Sequence, residues 1–479
     1  MRVIPKDQVL RRMQAENPWW TAARVANEYF DLPRRAYLTP YLSLLQTTTV
    51  KRAVLLMGPR RVGKTVLVHH AIQDLLNSKV EPKRICYLSV DHPLYNGCGL
   101  QELLQLYGEA AEVDPESGRS FIFFDEIQYL KDWEAHLKSL VDSYPSVRFT
   151  GSGSAAAALR LKSSESGAGR FTDFLLPPVT FHEYISLRGI SGLVSTDTQT
   201  GWHSARNITQ LNEAFVNYLN FGGYPEVIFS KTIQSDPARF IKADIIDKVL
   251  LRDLPSLYGI QDIQGLNYLF TTLAYNTSDE VSLEELSKNS GVAKNTIKRY
   301  IEYLEAAFLI KVVHRINRNA KRFQRANFFK VYLTNPSMHC ALFTPVDQDD
   351  AAMSALTETG IFSQWFHSKD PVHYARWDKG EVDIVSLGPE QTVSWAVEVK
   401  WSDRYVDRPH ELKSVIDFCR VNRLATAHVT TRTVEAERNF DGLRIDFVPA
   451  SLYCYRLGAN IISGEAAHTA SSITWRPAP

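Results

Sequence analysis

Short apolar runs alternate with amphipathic stretches from Arg52 onward. Thr65–Asn77 has the apolar spacing of a helix that buries one face. The apolar runs that predict strands are Ala53–Met57, Ile85–Val90, Phe121–Phe124 and Val147–Thr150. Strands that alternate with helices predict an α/β fold with a mostly parallel sheet and helices on its faces.

The pattern changes twice farther along the chain. The polar stretch Ser191–Ala205 predicts a loop or small insertion, and helical periodicity then dominates to about Ile310. From Phe329 onward, the predicted elements are strands at Asp383–Leu387 and Trp395–Val399 and helices at Met353–Phe366 and Pro409–Arg420. We therefore expect a helical lead-in at 1–45, an α/β domain at 46–235, a helical region at 236–328 and a second α/β domain at 329–479.

Composition narrows the class of protein. The 479 residues include 54 Lys and Arg and 53 Asp and Glu, so a globally basic nucleic-acid coat and an acidic solvating chain are both excluded, whereas a local basic patch is not. The five cysteines form no C-x-x-C pair, which favours reduced thiols. No apolar run approaches the roughly 18 residues that span a bilayer, so we expect a cytoplasmic protein with no membrane contact.

A phosphate-binding loop lies between the first predicted strand and the following helix. The loop consists of Gly58, Pro59, Arg60, Arg61, Val62, Gly63, Lys64 and Thr65, which fit G-x-x-x-x-G-K-T. Glycines let backbone N–H groups surround phosphates, and the N-terminus of the helix adds a partial positive charge. Lys64 would reach the β- and γ-phosphates and Thr65 would ligate Mg²⁺. The alternative is a coincidental Gly-rich turn.

Two acids end another predicted strand. Asp125 and Glu126 follow the apolar run Phe121–Phe124. Carboxylates at the end of a buried strand are costly unless they face a cation or water. We expect Asp125 to hold the Mg²⁺ shell and Glu126 to polarise the attacking water, so the cofactors predicted here are ATP and Mg²⁺.

Further residues are candidates near the phosphates. Thr150 and Ser152 end the strand that begins at Val147, where a hydroxyl could contact the γ-phosphate; an ordinary strand-to-loop turn is the alternative. Arg170 could stabilise transition-state charge in its own subunit or in a neighbouring one, or be a solvated arginine. Arg60 and Arg61 could touch nucleotide or a neighbour, and we expect His69 and His70 to pack rather than catalyse.

Several motifs occur in a fixed order and resemble a known family. They are GPRRVGKT, FIFFDEIQYLKDWE, FTGSGS, the pair Gly169-Arg170, PVTFHEY and FGGYPEV. The set resembles prokaryotic AAA ATPases of the AAA 14 type fused to a C-terminal domain of unknown function. This resemblance implies an AAA-type core in which Lys64, Thr65, Asp125 and Glu126 serve the ATPase. It also favours the functional interpretation of Arg170. The Ser-rich stretch Ser163–Ser166 is longer than in the usual family pattern, so the motif around Arg170 aligns less closely with the family.

A helix-turn-helix pattern extends from Val281 to Leu304 with a turn at Gly291. The second helix would present Lys294, Asn295, Thr296, Lys298 and Arg299, residue types that contact phosphates and base edges. The pattern resembles a winged helix, which the matching family carries here. Downstream, His314–Lys330 combines Arg315, Arg318, Lys321, Arg322, Arg325 and Lys330 with Phe323, Phe328 and Phe329. It could lie along a phosphate backbone; a module that binds only proteins, and a solvated hairpin, are the alternatives.

Acidic residues form a third constellation near the C-terminus. Asp383 followed by Glu398 and Lys400 on the next strand resembles the PD-(D/E)XK nuclease core, although Val382 replaces the usual Pro. Period two places Glu398 and Lys400 on one strand face. Asp383 and Glu398 could share a divalent metal, with Lys400 orienting water and Glu358 as the acid of the preceding helix. The alternatives are solvent-facing strand charges or a nuclease fold without activity.

These observations predict a P-loop AAA-type domain, a winged-helix region and a restriction-endonuclease-like α/β domain. The preferred hypothesis is an ATPase that acts on DNA, in which nucleotide controls DNA binding and possible metal-dependent cleavage. The alternative is a nucleotide-dependent scaffold or sensor for protein partners with an inactive nuclease fold. DNA is the expected partner, and a homo-oligomer is left open.

Overall fold

The computed structural model describes residues 5–47, 51–153, 169–321, 327–366, 371–388 and 390–467. Within these ranges the chain forms two compact units, 1–177 and 178–479. The four predicted segments divide the chain differently, and their boundaries stay predictions. Ser163–Ser166, Arg322, Phe323 and Arg325 lie outside the described residues, as does the tail beyond 467.

The first unit is built on a parallel sheet of five strands. Its strands are β1 (Ala53–Met57), β2 (Ile85–Ser89), β3 (Ser120–Asp125), β4 (Val147–Gly153) and β5 (Phe171–Leu175). The order is β2-β3-β4-β1-β5, and every neighbouring pair is parallel. The first four strands confirm the predicted runs. Because β1, β3 and β4 are adjacent, their carboxyl ends meet at one edge of the sheet.

Helices cover this sheet, and the N-terminal lead-in is one of its layers. The helices are Lys6–Glu16, Trp19–Ala22, Asn27–Phe30, Leu38–Gln46, Lys64–Asn77, Leu100–Ala111 and Trp133–Ser143, with 3-10 turns at Pro82–Arg84, Pro93–Tyr95 and Ile127–Tyr129. The indole N–H groups of Trp19 and Trp20 donate to the carbonyl of Ile85, over 2.9 and 2.8 Å. These bonds and the burial of Trp19 fasten the lead-in to the start of β2.

The second unit contains a nine-stranded mixed sheet. Its order is β15-β16-β14-β13-β12-β11-β9-β10-β8. The strands are β8 (Glu280–Ser282), β9 (Ile310–Ile316), β10 (Phe328–Leu333), β11 (Val372–Trp377), β12 (Gly380–Leu387), β13 (Val393–Glu398), β14 (Thr426–Thr431), β15 (Ala436–Phe440) and β16 (Leu443–Pro449), while β6 (Val194–Thr196) and β7 (His203–Ala205) form a separate hairpin. The predicted strands near Asp383 and Trp395 are confirmed as β12 and β13.

Helical segments dominate the middle of this unit, as the periodicity predicts. The α-helices are Phe181–Leu187, Ile208–Phe221, Pro225–Phe229, Lys231–Ser235, Leu254–Tyr258, Ile263–Tyr275, Leu283–Ser290, Lys294–Ala306, Ser337–Leu342, Met353–Trp365, Arg404–Asp407, Lys413–Val421 and Ala450–Ala467. π-Helical stretches lie at Ala238–Asp247 and Val249–Asp253, and 3-10 turns at Ser191–Leu193 and Pro409–Glu411. No helix in the described ranges is long and apolar enough to cross a membrane.

Two local arrangements in this unit position the candidate side chains. In the first, β8 leads into the helices Leu283–Ser290 and Lys294–Ala306, separated by Gly291 at φ 69°, and β10 pairs with both β8 and β9. In the second, β11, β12 and β13 are antiparallel neighbours, and β14 lies parallel to β13. The helix Met353–Trp365 precedes this four-stranded part, and Lys413–Val421 connects β13 to β14.

Candidate functional site

The loop after β1 has the backbone shape that phosphate binding requires. Arg61 and Gly63 are in left-handed conformations, with φ of 64° and 91°, and the helix Lys64–Asn77 begins directly after Gly63. The ammonium of Lys64 donates to the carbonyls of Gly58 and Pro59 over 2.9 and 2.7 Å. Burial lowers the pKa of Lys64 to about 8 against the attraction of Glu126 and Asp125. The helix N-terminus and the lysine therefore form one anion-binding site.

Asp125 is the centre of a hydrogen-bonded group at the end of β3. Its carboxylate accepts from Thr65 Oγ1 over 2.8 Å and from the Tyr87 hydroxyl over 2.7 Å, and it also accepts from Ser152. The side chain is 3% exposed. Mg²⁺ in nucleotide sites is held by one or two protein oxygens together with phosphates and water. Thr65 and Asp125 fit this role because they are already adjacent.

Glu126 follows Asp125 in a left-handed conformation, with φ 54° and ψ 40°. Its carboxylate accepts a hydrogen bond from the Gln128 side chain. A non-glycine residue in this region of φ and ψ stores strain, a feature that concentrates at functional sites. The turn separates the partly exposed Glu126 from the buried Asp125, so the two acids have different environments and can serve different roles.

The structure distinguishes the two hydroxyl candidates on β4. Ser152 bonds with Asp125, whereas Thr150 lies two residues earlier, opposite Val54 of β1, with 1% exposure. Ser152 is therefore the β4 hydroxyl that contacts Asp125, and Thr150 is part of the sheet interior. Among the predicted packing residues, His69 is stacked on Tyr29 with ring centroids 3.8 Å apart.

Arg170 lies far from the phosphate loop of its own chain. It immediately precedes β5, and its carbonyl accepts from the N–H of Ala53 at the start of β1 over 2.9 Å. In a parallel sheet this is the edge opposite to the one where β1 leads into the loop. Its guanidinium pairs with Asp142. The guanidinium is thus directed to Asp142 at that opposite edge, and the use of Arg170 at a neighbouring subunit's site stays a prediction.

The helix Lys294–Ala306 presents a polar face to solvent. Ile297, Tyr300, Ile301 and Leu304 are buried, and Asn295, Lys298, Arg299 and Glu302 are exposed. Lys294 instead pairs with Glu284 over 2.9 Å. Three of the five predicted contact residues are therefore exposed and outside that ion pair, whereas Thr296 is half-buried.

Lys330 does not belong to an exposed basic arm, contrary to the sequence prediction. Its side chain is 3% exposed, and its ammonium lies 3.0 Å from Glu358, 2.6 Å from Glu381 and 3.6 Å from Asp383. Phe329 is also buried, whereas Phe328, Arg318 and Lys321 are exposed. Arg318 pairs with Asp417. The strand β10 therefore directs one predicted surface charge into the protein.

The C-terminal acids meet in the same buried ion network. Lys400 Nζ lies 2.7 Å from Glu398 and 3.8 Å from Asp383, so Asp383 lies between two ammonium groups. Asp383 also accepts from the backbone N–H of Val399 over 2.8 Å. The structure thus brings together all four residues that the sequence predicted here, with Lys330 and Glu381 as two members that it did not predict.

Burial and like charge determine the electrostatics of this network. Burial, followed by the negative charge of Asp383, raises the pKa of both Glu358 and Glu398. Burial alone would lower the pKa of Lys330 and Lys400, but the surrounding carboxylates outweigh it and raise both. Both lysines are therefore charged at neutral pH and neutralise part of the carboxylate charge.

Lysine side chains supply positive charge beside the carboxylates that the sequence predicts as metal ligands. Across the described ranges, no group of three or more His, Cys, Asp or Glu side chains is arranged to hold a metal ion. The positive charge between Glu358 and Asp383 is instead supplied by Lys330. Oε2 of Glu398 is buried and accepts no hydrogen bond, so it is an unused acceptor oxygen. A single oxygen does not make a metal site.

Sequence reasoning missed residues that approach the sites from distant parts of the chain. Tyr87 on β2 reaches Asp125, and Tyr332 on β10 donates to Glu358 over 2.6 Å. The composition of β10 carried a usable signal, because Lys330 stands within the apolar and aromatic run Phe328–Leu333, and a lysine that is buried in such a strand needs a charged partner.

Two family models match the chain. Residues 50–185 match AAA_14, described as an AAA domain, and residues 212–350 match a domain of unknown function (DUF8612). The first match includes the phosphate loop, Asp125 and Glu126, so the AAA-type core expected from the ordered motifs is confirmed for this part of the chain. Neither match reaches Asp383 or Glu398, and the nuclease-like resemblance stays a prediction.

The chain is also similar to archaeal proteins. The uncharacterized protein MJ1544 of Methanocaldococcus jannaschii is 22% identical over 401 residues, which cover 81% of this chain and 83% of that protein. The uncharacterized protein MJ1637 of the same organism is 23% identical over 357 residues, which cover 71% and 73%. A solved structure, the Walker-type ATPase PABY2304 of Pyrococcus abyssi, has a TM-score of 0.40 and 14% identity, and covers 67% of this chain and 97% of its own.

Proposed function

We propose that this protein binds and hydrolyses ATP at the loop Gly58–Thr65 and that nucleotide controls its binding to DNA. The observation that carries the first part is the hydrogen bond of 2.8 Å between Thr65 and Asp125. It joins the two protein oxygens that would hold Mg²⁺, beside a lysine and a helix N-terminus suited to phosphates. The match of residues 50–185 to an AAA domain supports the same activity.

Within this site each residue has a distinct task. Lys64 would leave the carbonyls of Gly58 and Pro59 to bind the β- and γ-phosphates, which offer full negative charge in place of carbonyl dipoles. Mg²⁺, held by Thr65 and Asp125, supplies charge neutralisation on the phosphates. Glu126 is oriented by Gln128 and is partly exposed, so it can polarise a water for in-line attack.

ATP turnover by the purified full-length chain tests this part. We expect Lys64→Ala to weaken nucleotide binding, and Glu126→Gln to retain binding but lower turnover by about 10²-fold or more, the usual contribution of a general base. Lys138→Ala is the matched control, since Lys138 is exposed on the helix Trp133–Ser143 of the same unit. Equal turnover in wild type and Glu126→Gln would overturn the assigned role of Glu126.

DNA binding is supported by the arrangement around the helix Lys294–Ala306. The predicted winged helix is supported by two helices joined at Gly291, with the β9–β10 hairpin and β8 beside them. In helix-turn-helix modules the second helix enters the major groove. Lys298 and Arg299 on its exposed face are suited to phosphates and base edges.

The salt dependence of binding to a labelled duplex tests DNA as the partner. Replacing Lys298 and Arg299 by Ala should weaken binding and reduce the slope of log K against log salt by about one for each phosphate that the variant no longer neutralises. Lys311→Ala is the control, because Lys311 already pairs with Glu305. Measurements with ATP, with ADP and without nucleotide then test control by nucleotide. Salt-insensitive binding, unchanged in the double variant, would refute DNA recognition by this helix.

A second candidate function is favoured by the ion network around Lys330. The predicted PD-(D/E)XK fold is supported by the strand order β11-β12-β13-β14, with antiparallel and parallel neighbours, and by a preceding helix that carries Glu358. Lys330 and Lys400 already neutralise the carboxylates of this network. As the second candidate we therefore propose a nucleotide-dependent scaffold or sensor for protein partners, whose nuclease fold does not carry out metal-dependent cleavage. Plasmid incubated with Mg²⁺ or Mn²⁺, with and without ATP, should stay intact; nicking that Lys400→Ala abolishes would establish cleavage instead.

A further inference from the structure

Arg35 is a buried arginine that contacts the phosphate loop from the N-terminal lead-in. It lies between the helices Asn27–Phe30 and Leu38–Gln46, and the residue is 5% exposed. One guanidinium nitrogen donates to the carbonyl of Val62 over 2.7 Å, and another donates to the carbonyl of Pro177 over 3.0 Å. A buried charge is costly unless its donors are satisfied, so these contacts are held in a defined geometry.

The contact with Val62 bears on the shape of the loop. Val62 stands between Arg61 and Gly63, the two left-handed residues whose backbone turns set the direction of the loop's N–H groups. A planar guanidinium that holds the carbonyl between them restricts rotation of the adjoining peptide units. Arg35 thereby acts on the phosphate-binding N–H groups without lying at the phosphates.

The contact with Pro177 is made where the first unit ends. The preceding residue, Leu176, donates its N–H to the carbonyl of Met57 over 2.7 Å. A Cβ atom placed on Gly58 would lie only 2.1 Å from the carbonyl oxygen of Leu176. The loop and the segment Leu176–Pro177 are therefore in direct contact at Gly58 and are tied a second time through Arg35.

We propose that Arg35 is a positioning residue that holds the loop in its phosphate-binding shape and transmits nucleotide binding to Leu176–Pro177. This rests on the proposed binding of ATP at the loop. When phosphates bind the N–H groups around Gly63, the position or the mobility of the Val62 carbonyl changes. The guanidinium of Arg35 is bonded to both carbonyls and passes this change to the carbonyl of Pro177. From Pro178 the chain continues into the second unit, so this segment is the covalent route out of the nucleotide site.

The adjacent arginine supplies a matched control. Arg34 is exposed and pairs with Asp74 over 2.8 Å, so it shares sequence position and charge with Arg35 but not its contact with the loop. Arg35→Lys keeps the positive charge but replaces two separate guanidinium nitrogens by a single ammonium, whereas Arg35→Met removes both donors. Arg34→Lys and Arg34→Met receive the same substitutions.

The experiment combines steady-state ATP hydrolysis with hydrogen exchange of the full-length chain, in the presence and absence of nucleotide. Loss of one hydrogen bond to a charged group should raise KM for ATP about tenfold in Arg35→Lys, with a smaller change in kcat. In the wild type, nucleotide should slow exchange in peptides that contain Leu176, and Arg35→Lys should lose that response at saturating nucleotide. Both Arg34 variants should behave as the wild type.

The possible failures are distinguishable. A wild type that binds no nucleotide overturns the proposed ATP site and with it this proposal. If the wild type binds nucleotide but exchange at Leu176 is unchanged, transmission alone is overturned. This measurement uses only the wild type, so it does not depend on whether a variant folds. Arg35→Lys with wild-type KM and a wild-type exchange response assigns Arg35 a purely structural role and overturns the proposal, whatever its thermal midpoint.

Discussion

The ammonium of Lys330 lies 3.0 Å from the carboxylate of Glu358, and both side chains are almost completely removed from water. The lysine is contributed by β10 and the acid by the helix Met353–Trp365. This pair links the hairpin beside the helix-turn-helix to the helix that precedes the strands of Asp383 and Glu398. Its burial means that removing one partner leaves the other as an uncompensated charge.

Lys330→Met should therefore destabilise the protein strongly, by about 3–5 kcal/mol, the usual cost of breaking a buried ion pair from one side. Urea unfolding of the full-length chain measures the change. Lys400→Met should cost less, since the Lys400 side chain is 27% exposed and can be replaced in part by water. Adding Glu358→Gln to Lys330→Met should recover part of the loss; strictly additive effects would mean that the two residues do not interact energetically.

Ser152→Ala should lower ATP turnover because it removes a donor from the carboxylate of Asp125, which we propose holds Mg²⁺. A hydrogen bond to a charged group contributes about 1.5–3 kcal/mol, so the Mg²⁺ concentration for half-maximal activity should also change. Thr150→Val is the matched variant on the same strand, and it should alter stability but not this Mg²⁺ dependence. Equal effects of both substitutions on Mg²⁺ dependence would argue against a special role for Ser152.

His428 should make the protein less stable in mild acid. Burial, followed by the positive charge of Arg444, lowers the pKa of His428 from 6.5 to about 4, and Asp446 on the strand of Arg444 lies 3.5 Å away without reversing this effect. The neutral ring is favoured in the folded state, so stability is full above pH 6.5 and falls as the pH decreases towards 4. Between pH 7 and pH 5 the loss from this residue is about 2 kcal/mol.

Thermal unfolding at constant ionic strength measures this pH dependence. His428→Gln removes the titrating ring, so its midpoint should fall less between pH 7 and pH 5 than that of the wild type. Identical pH profiles for the two proteins would show that His428 does not contribute.

Gly58→Ala should abolish nucleotide binding while most of the fold persists. The added Cβ atom would lie 2.1 Å from the carbonyl oxygen of Leu176, so the loop or the end of β5 must move. Gly192→Ala is the control, because its Cβ would meet no atom within 4 Å and its backbone requires no left-handed conformation. Fluorescent ADP titration distinguishes the two, and tight binding by Gly58→Ala would show that the contact is easily relieved.

Local patterns predicted the parts of the structure that depend on contiguous residues. The strands β1 to β4, the helix after Gly63 and the two helices around Gly291 lie where periodicity and turn residues indicated. Local patterns did not predict which individual side chain makes a given contact. Thr150 and Ser152 lie on the same face of β4, and each has a hydroxyl group. Only the register of β4 against β3 decides which hydroxyl contacts Asp125.

The amino-acid sequence by itself determined the phosphate loop, the acids at the end of β3 and the two-residue spacing of Glu398 and Lys400, because the spacing of neighbouring residues fixes their relative positions within a strand or turn. Tertiary structure decided the surroundings of those motifs. Arg35 reaches Val62, Tyr87 reaches Asp125, and Lys330 leaves the surface to neutralise Glu358. These partners are 27 to 38 residues apart, and their contact depends on how helices and strands pack, which no local spacing records.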